Sequence, residues 1–167
     1  MLPYALGYLL LAGFVLFTAA CHAAAAPPFR MRTTAALVFT GLYATLVFTN
    51  YTIQLAFIPR VLHDRPAYIA SLTMANPASF AWFLEMFGYA AVGVATALVA
   101  PGFSGTPRGD VVRVLLVANG LISVVGAVCT AMFDAWVFST AGLVSFVCWN
   151  LLIVVCFGLI AVTPDGD

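Results

Sequence analysis

The chain contains no lysine. Without a side-chain amine it cannot carry a substrate or a retinal as a Schiff base. Charge of either sign is scarce. Only 7% of the 167 residues are charged, where a soluble domain carries about a quarter. The basic residues are Arg30, Arg32, Arg60, Arg65, Arg108 and Arg113, the formal net charge is zero, and there is no basic run. That argues against nucleic acid as a partner. Cys21, Cys129, Cys148 and Cys156 form no CxxC or comparable spacing, and they read as small buried apolar side chains. His22 and His63 fall in different loops with no third ligand nearby, so no metal site is expected. No Asp-rich diphosphate-binding motif occurs either, and no cofactor is expected.

What remains is apolar. The chain is 64% hydrophobic with a mean hydropathy of +1.10. In water such a chain could not cover its surface, so its solvent must be largely lipid. The expected fold is an all-α integral membrane bundle forming one domain over residues 1–167. A helix rises about 1.5 Å per residue, so crossing a hydrocarbon core takes about 20 residues. Five segments are long enough: about 3–20, 34–58, 78–100, 111–133 and 136–162. Pro59 is expected to close the second. Asn76-Pro77 is expected to open the third as a capping side chain followed by proline. PGFSGTPRGD (101–110) reads as a loop. FDAW leaves so little chain between the last two spans that they form a tight hairpin. Residues 60–75 are expected to hold a loop and a short interfacial helix, since AYIASLTMA is too short to span.

The first span has small residues before Cys21, as a signal peptide does, but no positive charge precedes it. It is therefore read as retained. Arg30, Arg32, Arg108 and Arg113 fall on one side of the membrane and Arg60 and Arg65 on the other. The arginine excess puts the N-terminus outside and the C-terminus (TPDGD) in the cytoplasm. No internal repeat supports an inverted-repeat transporter.

A polar layer stands out in the outer half. Glu85 lies eight residues past Pro77, and Asn50 and Gln54 share a face at i,i+4 near the end of the second span. Asp134 closes the fourth span at the same end. Trp82, Glu85, Tyr89, Val92 and Thr96 share a face of the third span. Asn119, Ser123, Gly126, Thr130 and Asp134 stripe the fourth, and Ser139, Gly142, Phe146, Trp149 and Asn150 run along the fifth. Such stripes must face one another or a cavity, because lipid leaves polar groups unsatisfied. The small-residue stripe on the fourth span also suits close helix packing. Asn50 and Gln54 serve either as interhelical hydrogen-bonders or as ligands, and Asp134 either as a site residue or as a solvated turn residue.

Glu85 is different. An ionisable residue inside a membrane span is a functional candidate by default. In apolar surroundings it is expected to be wholly or partly protonated at neutral pH unless Arg60 reaches it. Aromatic residues crowd this level, among them Tyr51, Trp82, Tyr89, Phe133 and Trp136. A carboxylic acid in an aromatic pocket can donate a proton to an alkene or epoxide, and ring faces can stabilise the resulting cation. In this scheme Glu85 is the general acid and Asp134 a base or cation stabiliser. Asn50, Tyr51, Gln54, Trp82, Tyr89, Phe133 and Trp136 hold the substrate.

The stretches YTIQLAFIPRVL (51–62) and NPASFAWFLEMFGYAAVGVATALVAPGF (76–103) resemble a family of small bacterial multi-pass membrane proteins. The shared pattern is Tyr51 and Gln54, then Asn76-Pro77, Leu84-Glu85, Gly88-Tyr89 and Ala100-Pro101. That resemblance implies a bacterial plasma-membrane location and no particular chemistry. In size and membrane-embedded acids the chain is also similar in character to small integral-membrane terpene cyclases. The expected function is a membrane enzyme that protonates, cyclises or isomerises a lipid-soluble, isoprenoid-like substrate in a pocket open to the outer leaflet. One alternative is a proton-coupled transporter or channel titrating at Glu85, which would require a homo-oligomer. The other is an accessory subunit whose Glu85 meets a partner's arginine.

Overall fold

The computed structural model describes residues 2–61, 63 and 67–162. Five long apolar helices dominate, each with the length and composition to cross a membrane. They are α1 (Leu2–Ala23), α2 (Arg30–Thr52), and α5 (Phe80–Val99), α6 (Pro107–Met132) and α7 (Thr140–Ala161), with two four-residue helices, α3 (Ile58–Val61) and α4 (Ile69–Leu72), between α2 and α5. The described residues contain no strand. Leu9, Leu16, Leu121 and Val154 each expose more than three-fifths of their surface around the bundle, which is the surface a bilayer covers.

α5 is central. It packs against α2 on one side and α6 on the other; α1 lies on α2, and α7 lies on α6. Small residues let these backbones approach, because helices in lipid associate through close van der Waals contact. A Cβ on Gly120 would sit 2.6 Å from the Gly93 carbonyl oxygen, and a Cβ on Gly93 would sit 2.6 Å from the Ser123 Cβ. Across the α2–α5 seam, a Cβ on Gly88 would fall 2.6 Å from a Val47 methyl. Hydrogen bonds lace α1 to α2 along their whole length: Tyr8 to Thr52 at 2.8 Å, Thr40 to Thr18 at 3.0 Å, and His22 to Thr33 at 2.9 Å.

Several expected boundaries change. The second span does not stop at Pro59. It passes through a π-helical turn, Ile53–Phe57, and continues as α3 with Pro59 inside it. A helical proline removes one N–H and crowds the carbonyl a turn back, and a wide turn just before it relieves both. The third span opens at Phe80, after Ser79, and not at Asn76-Pro77. Asn76 instead caps a turn, accepting from Ala78 N at 3.1 Å and donating to Ala70 O at 2.7 Å. α6 begins inside the expected loop at Pro107, with Thr106 as its cap accepting from Gly109 N at 3.0 Å. The connection between α6 and α7 is longer than expected, because α6 ends at Met132 and α7, expected from about 136, opens at Thr140. It turns on Ala135, at a left-handed φ of 54°, and on the short 3-10 turn Trp136–Phe138. Of the residues used for orientation, Arg65 and the TPDGD terminus lie outside the described residues.

The α5–α6 contact predicts a contrast between glycines. Gly120→Ala forces backbone apart and should lower thermal stability in detergent by about 1–3 kcal/mol. Gly13→Ala and Gly41→Ala meet nothing within 4 Å and should be neutral or stabilising. Equal melting temperatures for Gly120→Ala and Gly41→Ala would mean that the two helices do not rely on this approach.

Candidate functional site

Glu85 is the chain's one glutamate. It points from the second turn of α5 into the interior and is 7% exposed. Its carboxyl accepts from two side chains of α2: Asn50 Nδ2 at 2.8 Å on Oε2, and Tyr51 OH at 2.8 Å on Oε1. Tyr51 OH in turn lies 3.1 Å from Tyr89 OH, one turn along α5 from Glu85. Among the described residues no arginine pairs with Glu85, and Arg60 is exposed at the end of α3. The donors that hold this carboxyl are therefore neutral.

The orientation of the network is set by backbone groups. Gln54 Oε1 accepts from Met74 N at 3.2 Å, so its amide nitrogen must face the other way. That nitrogen donates to Leu72 O at 2.8 Å and to Asn50 Oδ1 at 3.3 Å. With its oxygen committed to Gln54, Asn50 presents its NH2 to Glu85 Oε2 and to Met74 Sδ, the latter at 3.3 Å. Every donor and acceptor of the two amides has a partner. The segment that starts with α4, the short helix expected here, therefore folds over this cluster. Trp82 Nε1 tethers it further by donating to Met74 O at 3.0 Å.

Beside the carboxyl lies a cavity of about 550 Å³, bounded by α1, α5, α6 and α7. Its volume falls in the ~300–1,000 Å³ range of small-molecule sites. Glu85, Tyr51, Trp82, Tyr89 and Trp136 all line it. Its far wall is Trp149, held edge-on to Tyr89 with ring centroids 4.9 Å apart and donating to Ser123 Oγ at 2.8 Å. Tyr4, Gly7 and Leu10 of α1 and Phe146, Trp149 and Asn150 of α7 form parts of its wall. Phe157 of α7 packs on Phe14 and Phe17 of α1, at 5.6 and 4.9 Å between centroids.

Asn50 and Gln54 act here as the carboxyl's supports, behind the cavity wall and not in its lining. Asp134 and Phe133 are exposed in the α6–α7 turn and do not line the cavity. Tyr4 of α1, Met74 and Trp149 are wall residues that were not singled out as site candidates from the sequence. Tyr4 looked like any aromatic near a span end, and Met74 gave no signal at all. Among the described residues, no cluster of His, Cys, Asp and Glu could hold a metal ion. Comparison of the chain with protein-family models, curated proteins and solved structures finds no match.

The hydrogen-bond pattern predicts how Glu85 tolerates change. Glu85→Gln can keep both bonds, with its carbonyl toward Asn50 and its NH2 toward the Tyr51 oxygen, so stability should stay within about 1 kcal/mol of wild type. Glu85→Leu strands the Asn50 amide and the Tyr51 hydroxyl, at about 1–3 kcal/mol for each buried group left unpaired. Thermal unfolding of the two variants in the same detergent decides it. If Glu85→Leu were as stable as Glu85→Gln, these bonds would carry no weight.

Proposed function

We propose that the protein is a membrane enzyme in which Glu85 protonates an alkene or epoxide of a lipid-soluble, isoprenoid-like substrate held in the aromatic cavity. The observation that carries this reading is a carboxyl bonded only to neutral donors that also lines an apolar, ring-walled cavity. In the first step the carboxyl O–H bond breaks. Either the alkene π bond is spent in forming a C–H bond, or an O–H bond forms at an epoxide oxygen as one ring C–O bond breaks, and a carbocation remains on the substrate. The rings of Tyr89, Trp82 and Trp149, which line the cavity, would stabilise positive charge through their faces. Attack by a second double bond closes a ring. Loss of a proton to the Glu85 carboxylate then restores the acid and leaves an isomer of the substrate, with no co-reactant consumed.

When Glu85 carries a proton, Oε1 is the oxygen with room for it. Oε2 faces the Asn50 NH2, a donor only, whereas the Tyr51 hydroxyl beside Oε1 can turn from donating to the carboxylate to accepting from the acid, and donate to Tyr89 instead. Asp134 has no part in this scheme, since it does not line the cavity. A transport path would need polar groups through to the other face. Below the cavity the bundle closes instead on Ala95, Val99, Val112, Leu116 and Cys156, which favours a dead-end pocket.

Arg30 and Arg32 in the first turn of α2 and Arg108 and Arg113 in the first two turns of α6 lie at one end, where Phe17 stacks on Phe103. With that end cytoplasmic, the cavity lies in the outer leaflet half of a bacterial plasma membrane and the N-terminus lies outside. Membranes containing wild type or Glu85→Gln would be incubated with linear and epoxidised isoprenoids, and the products read by mass spectrometry. Wild type should yield products isomeric with the substrate, and Glu85→Gln should lose at least ~100-fold in rate, the scale of a general-acid contribution. Product formation that survives in Glu85→Gln would rule the acid role out.

A further inference from the structure

One amide in the cavity is used by nothing described above. Asn150 sits near the midpoint of α7, on the cavity wall and exposed. Its Nδ2 donates to Phe146 O at 2.8 Å, within its own helix. Its carbonyl oxygen has no hydrogen-bond partner among the described residues. A bare amide oxygen at mid-membrane is costly, because lipid offers no donor. Two neighbouring polar side chains on the wall are committed. Ser123 donates to Asn119 O and accepts from Trp149, and Tyr89 meets Tyr51. Trp149, the neighbour of Asn150 in sequence, touches Tyr89, which is one turn from Glu85. Asn150 therefore lies about 6 Å deeper than the carboxyl along the membrane normal.

We propose that Asn150 Oδ1 receives a hydrogen bond from a hydroxyl group of the ligand, so that the cavity takes a lipid-soluble alcohol rather than a plain hydrocarbon. This rests on the cavity being a ligand site, the reading given above, and does not depend on turnover. The alcohol lies with its proton-accepting double bond or epoxide toward Glu85 and its hydroxyl one turn deeper, against α7. It enters from the bilayer between α1 and α7, both of which contribute to the cavity wall. Asn150 is then a specificity residue, choosing donors over ethers and hydrocarbons of the same shape.

The chain carries its own reporter: Trp82, Trp136 and Trp149 are its three tryptophans, and all line the cavity. Intrinsic fluorescence of the purified protein in detergent would be titrated with farnesol and with farnesyl methyl ether, which keeps the oxygen but lacks the donor. Wild type should bind farnesol roughly three- to tenfold more tightly, the worth of one net hydrogen bond. Asn150→Leu, at an exposed position that suits leucine, should bind the two equally. Equal binding by wild type overturns the assignment of Asn150 and leaves the cavity reading standing. A preference that persists in Asn150→Leu does the same. A failure of both probes to change the fluorescence overturns the cavity reading together with this one. If light scattering shows that Asn150→Leu breaks a dimer and the ligand preference is unchanged, the amide serves a second copy of the chain and the proposal fails.

Discussion

A carboxyl group among aromatic rings and lipid has to find its hydrogen-bond donors within the protein, and that demand organises one end of this bundle. Glu85 takes a donor from Asn50 across the α2–α5 seam. Asn50 can offer its NH2 only because Gln54 occupies its oxygen, and Gln54 is oriented by Leu72 O and Met74 N. One buried acid therefore ties together α2, α5 and the segment between them. The seam permits this because Gly88 lets the two helices close on each other at Val47. In lipid these bonds gain little over the alternatives the chain could find elsewhere, but leaving any of them unmade is expensive.

The cavity is the other consequence of how side-chain sizes are distributed. Where Phe14, Phe17 and Phe157 interlock, α1 and α7 close the bundle. Nearer Glu85 the wall carries large rings, Tyr4, Trp136 and Trp149, and the space beside Gly7 is taken by the ring of Tyr51. Rings of that size, fixed by hydrogen bonds such as Trp149 to Ser123, do not collapse together. The result is a shaped, ring-walled space with an acid on its wall.

Much of this was legible before any coordinates. The near absence of charge and the 20-residue apolar periods led directly to the five spans. Glu85, with Tyr51, Trp82, Tyr89 and Trp136, could be grouped by helical phase and depth alone. The errors came where local signals compete. Pro59 reads as a stop, yet a π turn carries the helix through it. Asn76-Pro77 reads as a helix start, yet Asn76 spends its side chain on a turn. Asp134 and Phe133 share the depth of the site but sit in a turn built on left-handed Ala135, which leaves both exposed. Depth along a span is a one-dimensional quantity, and it cannot tell the inside of a turn from the outside.

By itself the sequence determined the solvent, the number of spans and the isolation of one carboxyl, because these follow from transfer free energies and helical rise, both local properties of the chain. Tertiary structure decided which groups satisfy that carboxyl, which way the Asn50 and Gln54 amides face, and that a cavity beside Glu85 is walled by α1, α5, α6 and α7. Those outcomes depend on pairings between residues far apart in the chain, such as Met74 with Gln54 and Trp149 with Ser123. A hydrogen bond has a direction and a length only once both partners have been placed in space.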